Sequence, residues 1–494
     1  MPLIDLEELT IDGVHRGYIQ GRYNAEALVA AYQQRIQQLE HNEDGPCLNS
    51  IVSLNPGALA DAKKLDDALK TTGKLVGPLH GIPIMVKDDV LTKGLPTTFG
   101  SMVAKSFVAK EDATVIRRLR AAGAIILAKT SMPDFGTDYF STSSVKEHVR
   151  NPYDLDRDAG GSSSGTGAAV AANLTVIGLG GDSGGSVRIP AALCNLVGVK
   201  PTVGLISAAG YLTLVVGQST LGPICRSVKD AAIMMDVLVG FDEADIRTGI
   251  NQQAGAPVGG SYAAQLGAKD ISTMRLGVVR SLFGDNRVEE QEAVNGVTNK
   301  ALAELRAAGC ELVDVEIPDL KNYLRSTSLF LSRSKADLNA FITPTLGTNV
   351  NEIVESGNYP KENIMLPHIA ANGAASPYES PSYAEQVDQR DKFQLVVMSA
   401  MSTANVSALI FPTTKVPAPR YSDIDMKMRV YFPTNTGFAS SLRFPAITVP
   451  IGFTGTPAMP VGLEIVGVPL SDQLLLNISY AIENLVKGRR APKL

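Results

Sequence analysis

Two glycine-serine clusters offer hydroxyl groups in places where the backbone can approach a ligand closely: Gly160-Gly161-Ser162-Ser163-Ser164-Gly165 and Gly180-Gly181-Asp182-Ser183-Gly184-Gly185-Ser186. Glycine permits positive φ and leaves backbone N–H groups uncovered. A serine hydroxyl is a poor nucleophile at neutral pH and needs a base. Histidine is scarce here, with five in the chain, and only His368 follows the clusters. Lysine is the alternative. Lys87 ends the apolar run Gly81-Ile82-Pro83-Ile84-Met85-Val86, and apolar surroundings disfavour an ammonium, leaving an amine able to take a proton. The competing reading of Lys87 is an ion pair with Asp88 or Asp89 at a strand end.

Other chemistries find less support. Gly161 to Gly165 matches the GxSxG nucleophile elbow, which wants an acid and then a histidine downstream. No HExxH, no GxxxxGK[ST] and no GxGxxG opening a helix is present, which argues against zinc hydrolysis and against phosphate or dinucleotide binding. Cys47, Cys194, Cys225 and Cys310 have neither CxxC nor metal-ligand spacing. No metal and no cofactor is expected.

The two clusters can be positioned by what lies between them. The composition predicts an Ala-rich helix over Thr166–Asn173 and a strand over Leu174–Leu179. Ten helical residues rise about 15 Å and six strand residues about 20 Å, so a strand running back along its helix returns the second cluster beside the first. Ser162 and Ser186 then become neighbours. The stretch Ala159–Cys225 carries only Asp182, Arg188 and Lys200 as charges, against 19% charged residues in the chain. It is built to be buried, and those three need partners.

Further strands are expected at 51–54, 79–90, 124–129, 408–411, 446–449 and 461–466. Helices are expected at 57–70 and 112–122, after the N-cap Asn24 with Leu28, Val29, Tyr32, Ile36 and Leu39 on one face, and from Ser471 to Val486. Residues 275–317 read as a βαβ unit with Gly309 stopping its helix. Strands alternating with helices, and no obvious linker, imply one α/β domain. With 45 basic and 50 acidic side chains and no Lys/Arg run, nucleic acid is not an expected partner. The uncharged runs 159–181 and 201–225 are dense in Gly, Ser, Thr and Pro, as suits a buried core rather than a membrane span. The start MPLIDLEELTIDG lacks signal-peptide regions, so a cytoplasmic location is expected.

Several motifs, taken in order, resemble the amidase signature family: Gly81-Ile82-Pro83 leading to Lys87, Gly160-Gly161-Ser162-Ser163, Asp182 through Pro190, and Gly198-Val199-Lys200-Pro201-Thr202. The likeness continues through AIILAKTSMP, Asn151-Pro152, Phe411-Pro412-Thr413, PAITVP and PVGLEIVG, and so covers most of the chain. It implies one domain over 1–494 with a central mixed, twisted sheet covered by helices on both faces. Within it would lie an N-terminal helical layer over 1–75, a catalytic core over 76–230, and a variable helical segment over 320–400 covering the substrate pocket.

The resemblance also implies a Ser–cisSer–Lys triad. Ser186 matches the nucleophile, Ser162 the bridging serine after a non-proline cis peptide, and Lys87 the base. The backbone N–H groups of Ser183, Gly184, Gly185 and Ser186 match the oxyanion hole. Asp182 and Arg188 would hold the nucleophile loop, and Ser163 would support Lys87 or Ser162. Met132, Tyr139, Leu212 and Gln218 fall where the family lines its pocket. Gly181 stands where a threonine is common, and Ser219 where an aspartate often precedes the Gly-Pro pair. The implied activity is hydrolysis of a small or medium amide, anilide, carbamate or ester through an acyl-enzyme. The alternative is a glutamine-hydrolysing subunit of a tRNA-dependent amidotransferase. Retention of all three triad residue types argues against a silent scaffold. A small-molecule partner is expected, and a homodimer is left open.

Overall fold

The apolar runs of the sequence converge on one sheet. The computed structural model describes residues 4–40, 45–254 and 260–494. Eleven strands lie in the order Ile51–Leu54, Ile125–Thr130, Pro83–Lys87, Ile177–Asp182, Thr220–Cys225, Val197–Lys200, Ala446–Phe453, Pro460–Val466, Ala408–Pro412, Arg275–Val278, Glu311–Asp314. The sheet is mixed. Pro83–Lys87 runs parallel to both of its neighbours, whereas Ile177–Asp182 is antiparallel to Thr220–Cys225. Every residue of Pro83–Lys87, Ile125–Thr130 and Ile177–Asp182 is buried, as strands covered on both faces require.

The flanking helices follow their apolar stripes. Ala25–Glu40 buries Leu28, Val29, Tyr32, Ile36 and Leu39, and Asn24 caps it by accepting the Ala27 N–H at 3.0 Å. Arg275–Val278 and Glu311–Asp314 pair in parallel across the helix Glu289–Ala307, which stops at Gly309 with φ +92°. Residues 320–400 hold the helices Leu320–Ser326, Phe330–Leu346, Val350–Ser356, Met365–Asn372 and Tyr383–Thr403, and no strand.

One expected element is displaced. The Ala-rich helix runs Ser164–Ala171 and its strand Ile177–Asp182, three residues later than Leu174–Leu179. Gly180, Gly181 and Asp182 are therefore strand, not loop. The glycines sit where neighbours leave no room: a Cβ on Gly180 would lie 2.8 Å from Ser163 Oγ, and one on Gly181 2.4 Å from the Tyr211 hydroxyl.

Candidate active site

Lys87 is the last residue of its strand and its side chain is 2% exposed. Its Nζ donates to Ser162 Oγ at 2.8 Å and faces Asp89 Oδ2 at 2.9 Å. Both sequence readings of this lysine are thus realised, contact with a serine and an ion pair. The second oxygen of Asp89 is buried without a hydrogen-bond partner. Asp88 turns to Lys129 at 3.3 Å and accepts the Thr98 N–H at 2.9 Å and the Thr98 hydroxyl. Burial pushes the Asp88 carboxyl up and the Lys129 ammonium down. Lys129, fully buried and also bonded to Val90 O and Thr97 Oγ1 at 2.7 and 3.1 Å, is a charge the sequence reading missed.

The Gly161–Ser162 peptide is cis. The Ser163 N–H donates to Ser186 O at 3.1 Å, which ties the two clusters together by their backbones. Ser186, 7% exposed, opens on a cavity. Its hydroxyl makes no hydrogen bond among the described residues, whereas that of Ser162 is engaged by Lys87. Ser163 does not support either partner as expected. Its hydroxyl lies 3.2 Å from Gly181 N and 3.3 Å from Gly181 O, because the side-chain-free strand lets it approach that backbone first.

The loop from Ser183 to Ser186 is held from below. Asp182 accepts from Gly185 N at 2.8 Å, Val187 N at 3.2 Å, and Arg188 through Nε and Nη2, both at 3.0 Å. Arg188, fully buried, also bonds Ser440 Oγ at 2.9 Å and a carboxylate oxygen of Glu464. Burial raises the Asp182 carboxyl, but the Arg188 charge outweighs it and holds the group below its ordinary range. Glu464 meets Arg188 through one nitrogen and leaves its other oxygen unpartnered, so burial pushes it up to about 7. Lys200, which donates to Phe444 O at 3.0 Å, is pulled down to about 7 by burial and by Arg188.

This bracing corrects one oxyanion-hole assignment. The Gly185 N–H is spent on Asp182, whereas those of Gly184 and Ser186 donate to no backbone carbonyl among the described residues. Gly185 has φ +128°, and a Cβ there would lie 2.1 Å from Thr436 Oγ1, whose hydroxyl donates to Gly184 O at 2.7 Å. Ser219 Oγ sits 2.6 Å from Ser183 Oγ, so the residue that departs from the family pattern still braces the loop. Tyr211 fills the space beside Gly181, the other departure.

The cavity measures about 750 Å³. Ser183, Gly184, Ser186, Tyr139 and Gln218 border it, as do Phe330 and Met365 from the segment 320–400. Gln218 donates to Ser183 O at 2.6 Å and accepts from Arg390, whose guanidinium is lowered to about 9 by burial and by Arg443. Met132 and Leu212 do not border the cavity. Met132 is fully buried beneath Gly136, and Leu212 packs with Phe99, Phe135 and Leu338, because apolar side chains at these positions find a core behind the wall. The sequence reading also missed Thr436 and the pair of Arg429 with Asp138; no local pattern marks them.

A deeply buried lysine bonded to a serine after a non-proline cis peptide, on a mixed sheet, is the arrangement that the resemblance to the amidase signature family implies. The family model described as Amidase matches residues 27–476. The A subunit of glutamyl-tRNA(Gln) amidotransferase from Synechococcus sp. is 30% identical over 487 residues, covering 96% of this chain and 91% of that protein. Among solved structures, native peptide amidase from Stenotrophomonas maltophilia aligns with a TM-score of 0.86 at 29% identity, covering 99% of each chain. The A subunit of glutamyl-tRNA(Gln) amidotransferase from Thermotoga maritima aligns with 0.79 at 27% identity, covering 99% of this chain and 98% of that one. The chain belongs to the amidase family, enzymes that act on carbon–nitrogen bonds. Among the described residues no helix is long and apolar enough to cross a membrane.

Proposed function

We propose that this chain is an amidohydrolase that cleaves a small or medium amide through an acyl intermediate on Ser186, with Ser162 relaying protons to Lys87. The observation that carries this reading is the 2.8 Å contact of Lys87 Nζ with Ser162 Oγ, made beside a loop whose Ser186 faces the cavity. In its amine form Lys87 takes the Ser162 proton while Ser162 takes that of Ser186. The Ser186 oxygen attacks the carbonyl carbon, and the N–H groups of Gly184 and Ser186 receive the charge that develops on the carbonyl oxygen. Asp89 at 2.9 Å steadies the ammonium so formed, as a carboxylate steadies imidazolium in a Ser-His-Asp triad. The proton returns through Ser162 to the leaving nitrogen, the C–N bond breaks, and water releases the acyl group by the same route. A cavity of about 750 Å³ suits a small molecule, and the segment 320–400 covers it. Anilides, carbamates and esters are open to the same chemistry.

The test is a panel of amides, anilides, carbamates and esters with intact-mass detection of the acyl group. The mass increment should appear on the wild-type chain and vanish in Ser186→Ala; an increment that persists in that variant sinks the assignment of the nucleophile.

A second reading, a glutamine-hydrolysing subunit of a tRNA-dependent amidotransferase, draws on the name that one curated relative after another carries, and sequence similarity supports it better than the first. On the side of the first reading stands the better superposition on peptide amidase than on the Thermotoga protein. Hydrolysis of simple amides by the isolated chain would support the amidohydrolase. Glutaminase activity that appears only with a copurifying partner would support the amidotransferase reading.

A further inference from the structure

The cavity onto which Ser186 opens holds more positive charge than its own walls neutralise. Four charged residues border it: Asp138, Arg429, Lys415 and Lys321. Asp138 is already committed, since its carboxylate accepts from Arg429, whose guanidinium also bonds Thr142 Oγ1 at 2.8 Å. That leaves Lys415 and Lys321. Neither has a carboxylate within 4.0 Å among the described residues.

The backbone of Lys415 is pinned to the cavity wall. Its N–H donates to Pro433 O at 2.7 Å, and the adjacent Thr414 bridges to Thr434, which fixes it against the wall formed by Tyr431, Phe432 and Pro433. Lys321 follows Leu320 on the helix Leu320–Ser326, and Leu320 and Leu324 line the same space. The half-buried Lys415 ammonium is pulled down by burial first and then by the charge of Lys321. Lys321 is exposed, so the cost falls on the half-buried Lys415 ammonium, which is poorly solvated beside a like charge unless an anion joins it. No carboxylate of the described residues does so, which leaves that place to an anion brought by the ligand.

We infer that the substrate is an amide that also bears a carboxylate, which docks on Lys415 and Lys321 while its carbonyl lies at Ser186. The inference rests on the amidohydrolase reading and names the substrate class for that site. Because the lysines and Ser186 border one cavity, a single molecule can reach both. A neutral amide of equal length would leave the two cations as unpaired as they are in the free protein.

The experiment compares monoamides of straight-chain dicarboxylic acids with fatty amides of equal carbon number, over a series of lengths. The best monoamide should exceed its fatty counterpart about tenfold or more in kcat/KM, the worth of a charge-assisted hydrogen bond, and the advantage should shrink with added salt. Lys415→Gln and Lys321→Gln should each move that ratio toward one, through KM. Fatty amides used as well as monoamides, or a ratio unmoved by either substitution, overturns the inference. Calorimetric binding of the monoamides to the Ser186→Ala protein reads the lysine pair without turnover. Binding that is lost in the Lys415→Gln/Lys321→Gln background, in a chain that turns over no amide, would overturn the amide substrate together with the amidohydrolase reading and keep only the carboxylate-docking role of the two lysines. No binding to Ser186→Ala, together with no preference in turnover, rejects it.

Discussion

Replacing Arg188 by methionine removes the one cation that both Asp182 and Glu464 touch. All three side chains are fully buried. In the native protein the guanidinium satisfies Asp182 twice, at 3.0 Å from each of two nitrogens, Glu464 once, and Ser440 at 2.9 Å. Methionine fills much of the volume but strands two carboxylates, with Lys200 left as the cation that acts on both. Removing one partner of a buried ion pair costs about 3 to 5 kcal/mol, and two carboxylates share this partner, so the upper part of that range is expected at pH 8. The stranded groups escape by binding protons. Their folded-state affinity for protons then exceeds that of the unfolded chain, so the variant loses stability as pH rises and recovers part of it as pH falls toward 5.5. Urea unfolding of both proteins at the two pH values, read as midpoint times slope, measures the loss and its pH dependence. The double variant Arg188→Met/Glu464→Met, with one carboxylate removed, should be more stable than Arg188→Met alone. A loss below about 1 kcal/mol at pH 8, or one that does not vary with pH, would refute the view that Arg188 neutralises this cluster.

Three further perturbations test other parts of the structure. Asp89→Asn keeps the shape beside Lys87 but removes the charge 2.9 Å away; kcat should fall about tenfold or more while the chain stays folded, and an unchanged kcat would remove Asp89 from the proposed proton relay. Gly181→Ala places a Cβ 2.4 Å from the Tyr211 hydroxyl and should cost about 1 to 3 kcal/mol by overpacking. Thermal denaturation of Gly181→Ala/Tyr211→Leu should then show strong non-additivity, whereas additive losses would mean that Tyr211 is not what excludes the side chain. Glu40 is 4% exposed, accepts the Ser50 N–H, and is pushed up to about 6 by burial. The folded state therefore holds a proton that the unfolded chain releases, and stability falls by about 2 kcal/mol as pH rises from 4 through 6. Glu40→Gln should flatten that part of the pH–stability curve, and a curve of unchanged slope would contradict the shift.

The strands were readable because continuous apolar runs are what a sheet covered on both faces demands, and Pro83–Lys87 and Ile125–Thr130 show that pattern plainly. Ile177–Asp182 was misplaced by three residues because glycines weaken a strand signal. They belong to the strand only because Ser163 and Tyr211 occupy the places their side chains would take, and that is tertiary information. The same division runs through the site. That Ser162 lies beside Ser186 was expected from spacing, whereas the contact of Lys87 with Ser162 was expected from the resemblance to the amidase signature family, residue types alone leaving an ion pair with Asp88 or Asp89 open. That Asp89 rather than Asp88 turns to Lys87 depends on Lys129, supplied by the neighbouring strand.

Arg188 makes the point at longer range. The strand bearing Glu464 lies four positions along the sheet from the strand bearing Asp182, and no local pattern links the two. The short helix Arg188–Leu193 packs against Val197–Lys200, Ala446–Phe453 and Pro460–Val466, which carries one guanidinium to both carboxylates. The need for a partner was visible in the near-absence of charge around Asp182; the identity of the second partner was decided by the order of the strands. Charge matching under the Ser183–Ser186 loop is thus a property of the sheet as a whole, which is why a substitution at Arg188 should be felt as lost stability and in the placement of the Gly185 and Val187 N–H groups that Asp182 holds.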